Sequence, residues 1–294
     1  MKVELAAKAG FCFGVNRAVD TVYREVSSGR QPVYTFGPII HNEEVISDLE
    51  KKGVRVIHTL EEACGLKDGT VIIRSHGVSR EIQDALTAAG LTVVDATCPF
   101  VQKIHRIVHE YSGKGYFILI IGSADHPEVE GIVGWAHPDR SAVISSEEEA
   151  GTLDLSGEDK VCVVAQTTFN HKKFQDMVEI LRKREYDDMS TVEKGVTFLV
   201  HNTICSATKE RQDAAAALSR QVDAMIVIGG ASSSNTRKLY EICSQNCRNT
   251  YFIQTREDLE HSDFLRFGYV GITAGASTPN NIIEEVQKYV RYEL

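Results

Sequence analysis

The 294 residues are 43% hydrophobic and 25% charged, a balance typical of a folded globular protein with one large core or a few smaller ones. The formal net charge of -9 argues against nucleic acid as a partner, because such binding depends on Lys and Arg that neutralise phosphates. No apolar stretch reaches the roughly 18 to 20 residues of a membrane helix, and the first residues lack a secretory signal, so we expect a cytoplasmic protein without a membrane partner.

The first segment of the chain places Cys12 between a predicted strand and a predicted helix. The strand begins at Val3. After Cys12, apolar residues recur at helical spacing, at Val15, Val19, Val22 and Val26. Further strands are predicted within 33–41, 56–59 and 71–76, and they end at His41, Thr59 and His76.

The next two segments repeat this order around Cys98 and Cys205. A strand precedes each cysteine, and helical spacing follows it, at Val101, Ile104, Val108 and Tyr111 and then at Ala214, Leu218 and Val222. The later strands of these segments end in polar residues at nearly the same distances from the cysteine as in the first: His126, Ser146 and Thr167, then Ser233, Thr255 and Ser277.

This internal repeat predicts an α/β fold of three related units, 1–97, 98–204 and 205–294, the last with a C-terminal helix. Strands that alternate with helices form parallel sheets, whose ligands bind beyond the carboxyl ends of the strands. Thr59, Ser146 and Thr255 each precede acidic residues, which predicts helix N-caps. We expect the three units to pack together.

Seven scattered cysteines do not indicate a disulfide framework, and thiols in a reducing compartment serve for packing, catalysis or metal binding. Cys12, Cys98 and Cys205 each lie near a helix N-terminus, which lowers a thiol pKa toward the ligating form. Their wide separation disfavours a closed zinc site. Three thiolates would suit a shared iron–sulfur cluster with one open iron, although buried cysteines at repeated positions remain an alternative.

The other four cysteines, Cys64, Cys162, Cys243 and Cys247, are interpreted as structural. The polar residues at the strand ends are mostly neutral hydrogen-bond donors, and several precede helices whose amides attract phosphate oxygens. Helix capping is the alternative role for the serines among them. Glu128 is the one carboxylate of this set, a candidate proton donor or else a first-turn helix acid.

Several short motifs in this order resemble the 4-hydroxy-3-methylbut-2-enyl diphosphate reductase family, iron–sulfur oxidoreductases that catalyse the last step of the non-mevalonate isoprenoid pathway. The motifs are Gly10–Val15, Gly37–Asn42, Arg74–Gly77, Asp95–Pro99, His126–Glu128, Gln166–Thr168, Thr203–Cys205, Ser233–Asn235 and Thr273–Ser277. The resemblance implies a pseudo-threefold trefoil of α/β units around one 4Fe-4S cluster per chain, held by Cys12, Cys98 and Cys205, whose open iron binds the substrate hydroxyl oxygen.

The resemblance also implies roles for the strand-end residues. Glu128 would supply protons, with Thr167 and His126 as further catalytic residues. The substrate diphosphate would be bound by His41, His76, His126, Thr167, Ser233, Ser234, Asn235 and Ser277. The implied reaction is a two-electron reductive dehydroxylation that gives isopentenyl and dimethylallyl diphosphate, with ferredoxin or flavodoxin as the electron donor.

Two rival functions are carried forward. One is a non-redox iron–sulfur dehydratase of the quinolinate synthase type, against which a pocket of diphosphate size and polarity argues. The other is an iron–sulfur redox sensor or structural protein, in which the polar strand ends only cap helices. Such a sensor would not need Glu128.

Overall fold

The structure is a computed structural model that describes residues 1–29, 32–188, 196–259, 264 and 266–292, with the side chains of 185–188 left out. Its strands are short, as is usual in parallel α/β folds. They are β1 (Lys2–Leu5), β2 (Val33–Phe36), β3 (Arg55–Ile57), β4 (Thr70–Ile73), β5 (Thr92–Asp95), β6 (Phe117–Ile121), β7 (Ser141–Ile144), β8 (Lys160–Ala165), β9 (Thr197–Val200), β10 (Ala224–Ile228), β11 (Thr250–Ile253) and β12 (Tyr269–Ala274).

Helices alternate with these strands along the chain. They are α1 (Phe13–Ser27), α2 (Glu43–Lys51), α3 (Leu60–Cys64), α4 (Arg80–Ala88), α5 (Pro99–Gly113), α6 (Pro127–Val133), α7 (Glu147–Thr152), α8 (His171–Asp188), α9 (Ser206–Ser219), α10 (Ser234–Asn246) and α11 (Asn280–Tyr292). A 3₁₀ helix covers Arg256–Leu259. The predicted helix after each of Cys12, Cys98 and Cys205 is therefore confirmed.

The strands form three four-stranded sheets, in which every pairing of described residues is parallel. The strand orders are β3-β2-β4-β5, β7-β6-β8-β9 and β1-β12-β10-β11. This arrangement confirms the predicted α/β class. The central strands are almost continuously apolar, as expected for parallel strands that are covered on both faces, and every residue of β4 and β10 is buried.

Each cysteine of the repeat follows an edge strand of one sheet. β5 precedes Cys98 and pairs with β4, and β9 precedes Cys205 and pairs with β8. β1 precedes Cys12 but pairs with β12, Lys2 opposite Tyr269, so the first strand of the chain belongs to the sheet of the last segment. The division into units at 97/98 and 204/205 stays a prediction.

By its contacts, the chain forms two compact units, and the sheets are distributed between them. The first unit consists of Met1–Arg24, Pro38–Val54 and Cys205–Leu294, and it contains the sheet of β1, β12, β10 and β11. Its core includes Ile226, Ile272 and Val286, none of them exposed. The second unit consists of Glu25–Gly37 and Arg55–Ile204, and it contains the other two sheets.

The predicted N-caps are confirmed in two of the three segments. Thr59 and Ser146 form capping boxes with Glu62 and Glu149, so that two backbone amides at each helix start are bonded. The third segment differs, because the residues after Thr255 form only a 3₁₀ turn, in which the Asp258 carboxylate accepts from the Thr255 amide at 3.1 Å. Thr59 and Ser146 each lie two residues after the end of a strand, β3 and β7 respectively.

Candidate active site

In the first unit, Cys12 and Cys205 lie at the starts of α1 and α9. The Cys12 amide donates to the carbonyl of Ala276 in the loop after β12, at 3.2 Å, and Cys205 is the N-cap residue of α9. Burial raises the pKa of the Cys205 thiol, while the amides of Ala207 and Thr208 act in the opposite direction. The negative charge of Cys12 also raises this pKa, so the two sulfurs lie within electrostatic range of each other.

Arg211 was not singled out from the sequence, yet its guanidinium is buried between the two cysteine loops of this unit. It donates to the carbonyl of Gly10 at 2.8 Å and to that of Ala207 at 3.3 Å. Burial lowers the pKa of Arg211, and the charges of Cys12 and Cys205 raise it. Helical spacing was a usable signal, because Arg211 precedes the buried Ala215 by one turn and so lies on the inward face of α9.

The first unit also brings together His41, Ser233, Asn235 and Ser277. The Ser277 hydroxyl donates to the His41 carbonyl at 2.9 Å and lies 3.5 Å from the Ser233 hydroxyl, which caps α10. Asn235 is 3% exposed, and neither atom of its side-chain amide has a partner among the described residues. A buried amide without a partner is costly, so this set is suited to a polar ligand. Ser234 is the first residue of α10.

Glycines allow the backbone to approach this polar set closely. A Cβ atom on Gly275 would lie 2.0 Å from the Thr236 Oγ1 atom, and one on Gly230 would lie 2.9 Å from the Glu43 Oε2 atom and 3.0 Å from the His41 carbonyl. Gly229 has a positive φ of +156° and would meet the same threonine. The missing side chains at these positions therefore allow the loops to pack closely against the start of α10, whose amides attract anions.

In the second unit, Cys98 is the N-cap residue of α5 and is joined to the loop that carries His76. The Cys98 amide donates to the carbonyl of Ser75 at 2.9 Å. This loop turns at Gly77, whose φ is +73° and whose Cβ, if present, would lie 2.6 Å from the His105 ring. The geometry therefore couples the position of Cys98 to that of His76.

The two histidines predicted in this unit lie edge to face, with ring centroids of His76 and His126 5.4 Å apart. His126 is the N-cap residue of α6, and its Nδ1 atom accepts a hydrogen bond from the Glu128 amide at 3.1 Å. In a neutral ring that accepts at Nδ1, the Nε2 atom carries the proton. His126 is thereby oriented as a donor toward an acceptor such as a phosphate oxygen.

Glu128 is a buried carboxyl group, 1% exposed, that is held by one residue from the loop after β8. The amide of Thr167 donates to Oε1 at 2.6 Å, and its hydroxyl donates to Oε2 at 2.8 Å. Burial raises the pKa of Glu128 to about 7, although both hydrogen bonds from Thr167 oppose the shift. A carboxyl group with this pKa can deliver a proton near neutral pH.

The remaining cysteines differ from those of the repeat. Cys162 lies in β8 and Cys243 in α10, both fully buried, and burial raises each thiol pKa to about 12. Cys247, the C-cap residue of α10, is also buried, and Cys64 is exposed at the end of α3. Both side chains pack within apolar clusters, which supports the structural interpretation of Cys162 and Cys243.

No helix among the described residues combines the length and the apolar character that a membrane crossing requires. The fold and the polar sites of its two units define an α/β protein with cysteine and histidine side chains at helix starts. A family model described as LytB protein matches residues 3–291, and the chain belongs to this family.

Two relatives that are similar to this chain over almost its whole length carry the same name. The 4-hydroxy-3-methylbut-2-enyl diphosphate reductase of Thermoanaerobacter sp. (strain X514) is 48% identical over 294 residues, covering 99% of this chain and 97% of the relative. That of Geobacter sulfurreducens is 46% identical over 287 residues, with 97% and 95% coverage. The resemblance that the motifs indicated is confirmed.

Two solved structures are similar over nearly the whole chain. The E-1-hydroxy-2-methyl-but-2-enyl-4-diphosphate reductase from Plasmodium falciparum matches with a TM-score of 0.86 and 29% identity, over 98% of this chain and 86% of the other. A structure of (E)-4-hydroxy-3-methyl-but-2-enyl diphosphate reductase, described as the terminal enzyme of the non-mevalonate pathway, matches with a TM-score of 0.69 and 39% identity, with full coverage of both chains.

Proposed function

We propose that this protein is an enzyme that removes the hydroxyl group of 4-hydroxy-3-methylbut-2-enyl diphosphate reductively and so forms isopentenyl and dimethylallyl diphosphate. Membership of the family and 48% identity over almost the entire chain support this function. The observation that carries it is Glu128, a buried carboxyl with a pKa of about 7 held by Thr167. A leaving hydroxide needs such a proton donor.

Cys12, Cys98 and Cys205 are the proposed ligands of one 4Fe-4S cluster. The donor set fits the group, since all three lie at helix starts, and Arg211 places a buried positive charge within range of two of them. When bound, the cluster would supply electrons and a Lewis-acidic iron for the substrate oxygen. A compartment that keeps thiols reduced is required, which supports a cytoplasmic location.

The substrate diphosphate is proposed to be bound by neutral hydrogen-bond donors. Ser233, Ser234, Asn235, Ser277 and His41 are the proposed set of the first unit, and the unpartnered Asn235 amide supports it. His76 and His126 are the proposed set of the second. The protonated Nε2 atom of His126 and the α10 amides are donors that suit phosphate oxygens.

Within the reaction, Glu128 holds and transfers the proton, and Thr167 orients it. The two hydrogen bonds of Thr167 hold both carboxyl oxygens, so the orientation of the carboxyl group is fixed. His126 joins binding to catalysis, because its ring accepts from the Glu128 amide. An external one-electron carrier, ferredoxin or flavodoxin, would deliver the two electrons.

The test is an anaerobic assay with a reduced dye as electron donor and 4-hydroxy-3-methylbut-2-enyl diphosphate as substrate. We expect brown protein, the absorption of an iron–sulfur cluster, and both isoprenoid diphosphates as products. Turnover without consumption of reduced dye would indicate a dehydratase instead. A cluster with no turnover at all would favour a redox sensor, and colourless protein that is fully active would overturn the cluster.

A further inference from the structure

Arg211 is unusual among the described residues of the first unit because its cationic side chain is buried without a carboxylate. The residue is 2% exposed, and no Asp or Glu lies within salt-bridge distance of it in the described part of the chain. The neighbouring Glu210 carboxylate instead pairs with Lys8 at 3.3 Å. Buried charges are expected to be compensated, so a negative group other than a carboxylate must balance Arg211.

The two cysteines of this unit are the groups whose thiolate form would act most strongly on Arg211. Cys12 and Cys205 are the two largest electrostatic influences on the guanidinium, ahead of Glu210. As neutral thiols they would leave the cation without compensation. As thiolates bound to a cluster they would supply the missing charge, and in return the cation would stabilise the added electron.

The hydrogen bonds of Arg211 give it a second, mechanical role. One nitrogen donates to the carbonyl of Gly10, two residues before Cys12, and another donates to that of Ala207, two residues after Cys205. The Gly10 loop has little freedom, because its φ is +90° and a Cβ there would lie 2.9 Å from the Asn280 Oδ1 atom. The Ala207 bond lies within α9, so the planar guanidinium joins this helix, which begins directly after Cys205, to the loop before Cys12.

We propose that Arg211 is a positioning residue that sets the separation of Cys12 and Cys205 and supplies the positive charge that balances the cluster they hold. The proposal deepens the proposed function and rests on the presence of that cluster. Arg211 touches neither substrate nor reacting atoms in this scheme. Its effect is therefore expected in the properties of the cluster before any effect on substrate binding.

Three substitutions separate the two roles of Arg211. Arg211→Met removes both charge and hydrogen bonds, Arg211→Gln keeps N–H donors without charge, and Arg211→Lys keeps the charge but not the planar fork. Arg184 offers a matched control, because its guanidinium also donates to two carbonyls, those of Ala150 and Leu153, in the second unit. Arg184→Met should lower thermal stability and leave the cluster unchanged.

The experiment measures three properties of anaerobically purified full-length protein: iron and sulfide content, the midpoint potential of the cluster, and the rate of iron loss to a chelator. We expect Arg211→Met and Arg211→Gln to shift the midpoint potential to more negative values, and Arg211→Lys to keep it near that of the wild type. Iron loss should be at least about tenfold faster in Arg211→Met than in the wild type, with Arg211→Lys and Arg211→Gln between them.

Distinct results would overturn the proposal. An Arg211→Met protein with the potential and the iron-loss rate of the wild type would show that Arg211 does not act on the cluster. If Arg211→Met does not fold, an Arg211→Lys protein whose potential shifts as far as that of Arg211→Gln would show that the charge is irrelevant. Wild-type protein that never binds a cluster would overturn the proposed function itself, and this result is distinguishable because it needs no substitution.

Discussion

The candidate site residues of the two units differ in chemistry. In the first unit, Ser233, Asn235 and Ser277 are neutral, and glycines allow close packing around the start of α10. In the second, Glu128 is an acid whose pKa lies near neutrality, hydrogen-bonded beside a histidine that is a helix N-cap. This difference supports the proposed division of roles, in which the first set binds substrate and Glu128 transfers the proton.

The largest expected effect comes from Glu128→Gln, which removes the acid but keeps the shape of the side chain. Turnover should fall by about 10²-fold or more, with the cluster and the substrate KM little changed. Because the protonated form is the active one and its pKa is about 7, wild-type turnover should decline as the pH rises above about 7. The measurement is kcat against pH with a reduced dye.

Glu130→Gln is the matched control for this substitution, since Glu130 is an exposed acid on the same helix, α6. It should leave both kcat and the pH profile unchanged. Equal losses in the two variants would remove the distinction between the units, because the charge of α6 rather than the buried acid would then matter.

A second prediction concerns acid stability in the second unit. His105 is 5% exposed and stacks on Trp135 at 5.0 Å, and burial lowers its pKa from 6.5 to about 4. As the pH falls from 6.5 to 4, the unfolded chain takes up a proton on His105 that the folded chain does not, so the contribution of this residue to stability should fall by about 3 kcal/mol. Denaturant unfolding of the wild type and of His105→Gln across this range should show the difference, because this loss is absent from the variant.

Glu128 should act on stability in the opposite direction. Its pKa is raised from 4.5 to about 7, so the folded chain holds the proton longer than the unfolded chain as the pH rises through this window. Glu128→Gln should therefore gain stability relative to the wild type above about pH 7. The two contributions oppose each other, so each variant is compared with the wild type. A His105→Gln or Glu128→Gln protein whose stability follows that of the wild type between about pH 4 and 8 would contradict the corresponding prediction.

The third prediction tests the neutral set. Asn235→Ala should raise the substrate KM by about tenfold, the cost of one or two lost hydrogen bonds, without moving the pH profile of kcat. Asn246→Ala, at the far end of α10, serves as the control and should leave KM unchanged. A shifted pH profile in Asn235→Ala would show that the two sets are not chemically separate.

The smallest expected effect is a change of about 1 to 3 kcal/mol in stability from Gly275→Ala, whose new methyl group would meet Thr236 Oγ1 at 2.0 Å. Adding Thr236→Ala should restore part of the loss, because the closest contact is then removed. Thermal unfolding of the two single variants and the double variant measures this coupling. Strictly additive losses would show that the glycine is not required for close packing.

Much of the fold was predictable, because strand and helix periodicities around each cysteine are local properties of the chain. The pairing of β1 with β12 was not, since alternation in the sequence does not identify a distant partner strand. Helix α9 was predicted to reach Val222 but ends at Ser219, because the apolar spacing continues into the turn before β10. The helix predicted after Thr255 is also shorter than expected, because these residues form a 3₁₀ turn.

The sequence motifs identified candidate site residues, but not the hydrogen bonds and the burial that determine their properties. Motifs singled out Glu128 and Thr167, but only the structure shows that two hydrogen bonds join them and that burial raises the pKa of Glu128. Arg211 was missed because a charged residue in a helix is normally interpreted as facing solvent. Its burial depends on the Gly10 loop, which lies two hundred residues earlier in the chain.

The parallel pairing of β1 with β12 also determines the order in which the protein can be made. During synthesis, residues 2–5 leave the ribosome long before residues 269–274, so β1 has no partner strand for almost the whole of translation. The Cys12 amide, which donates to the carbonyl of Ala276, likewise has no acceptor until then. A nascent chain interrupted before β12 would therefore leave Cys12 without the backbone hydrogen bond that fixes its loop.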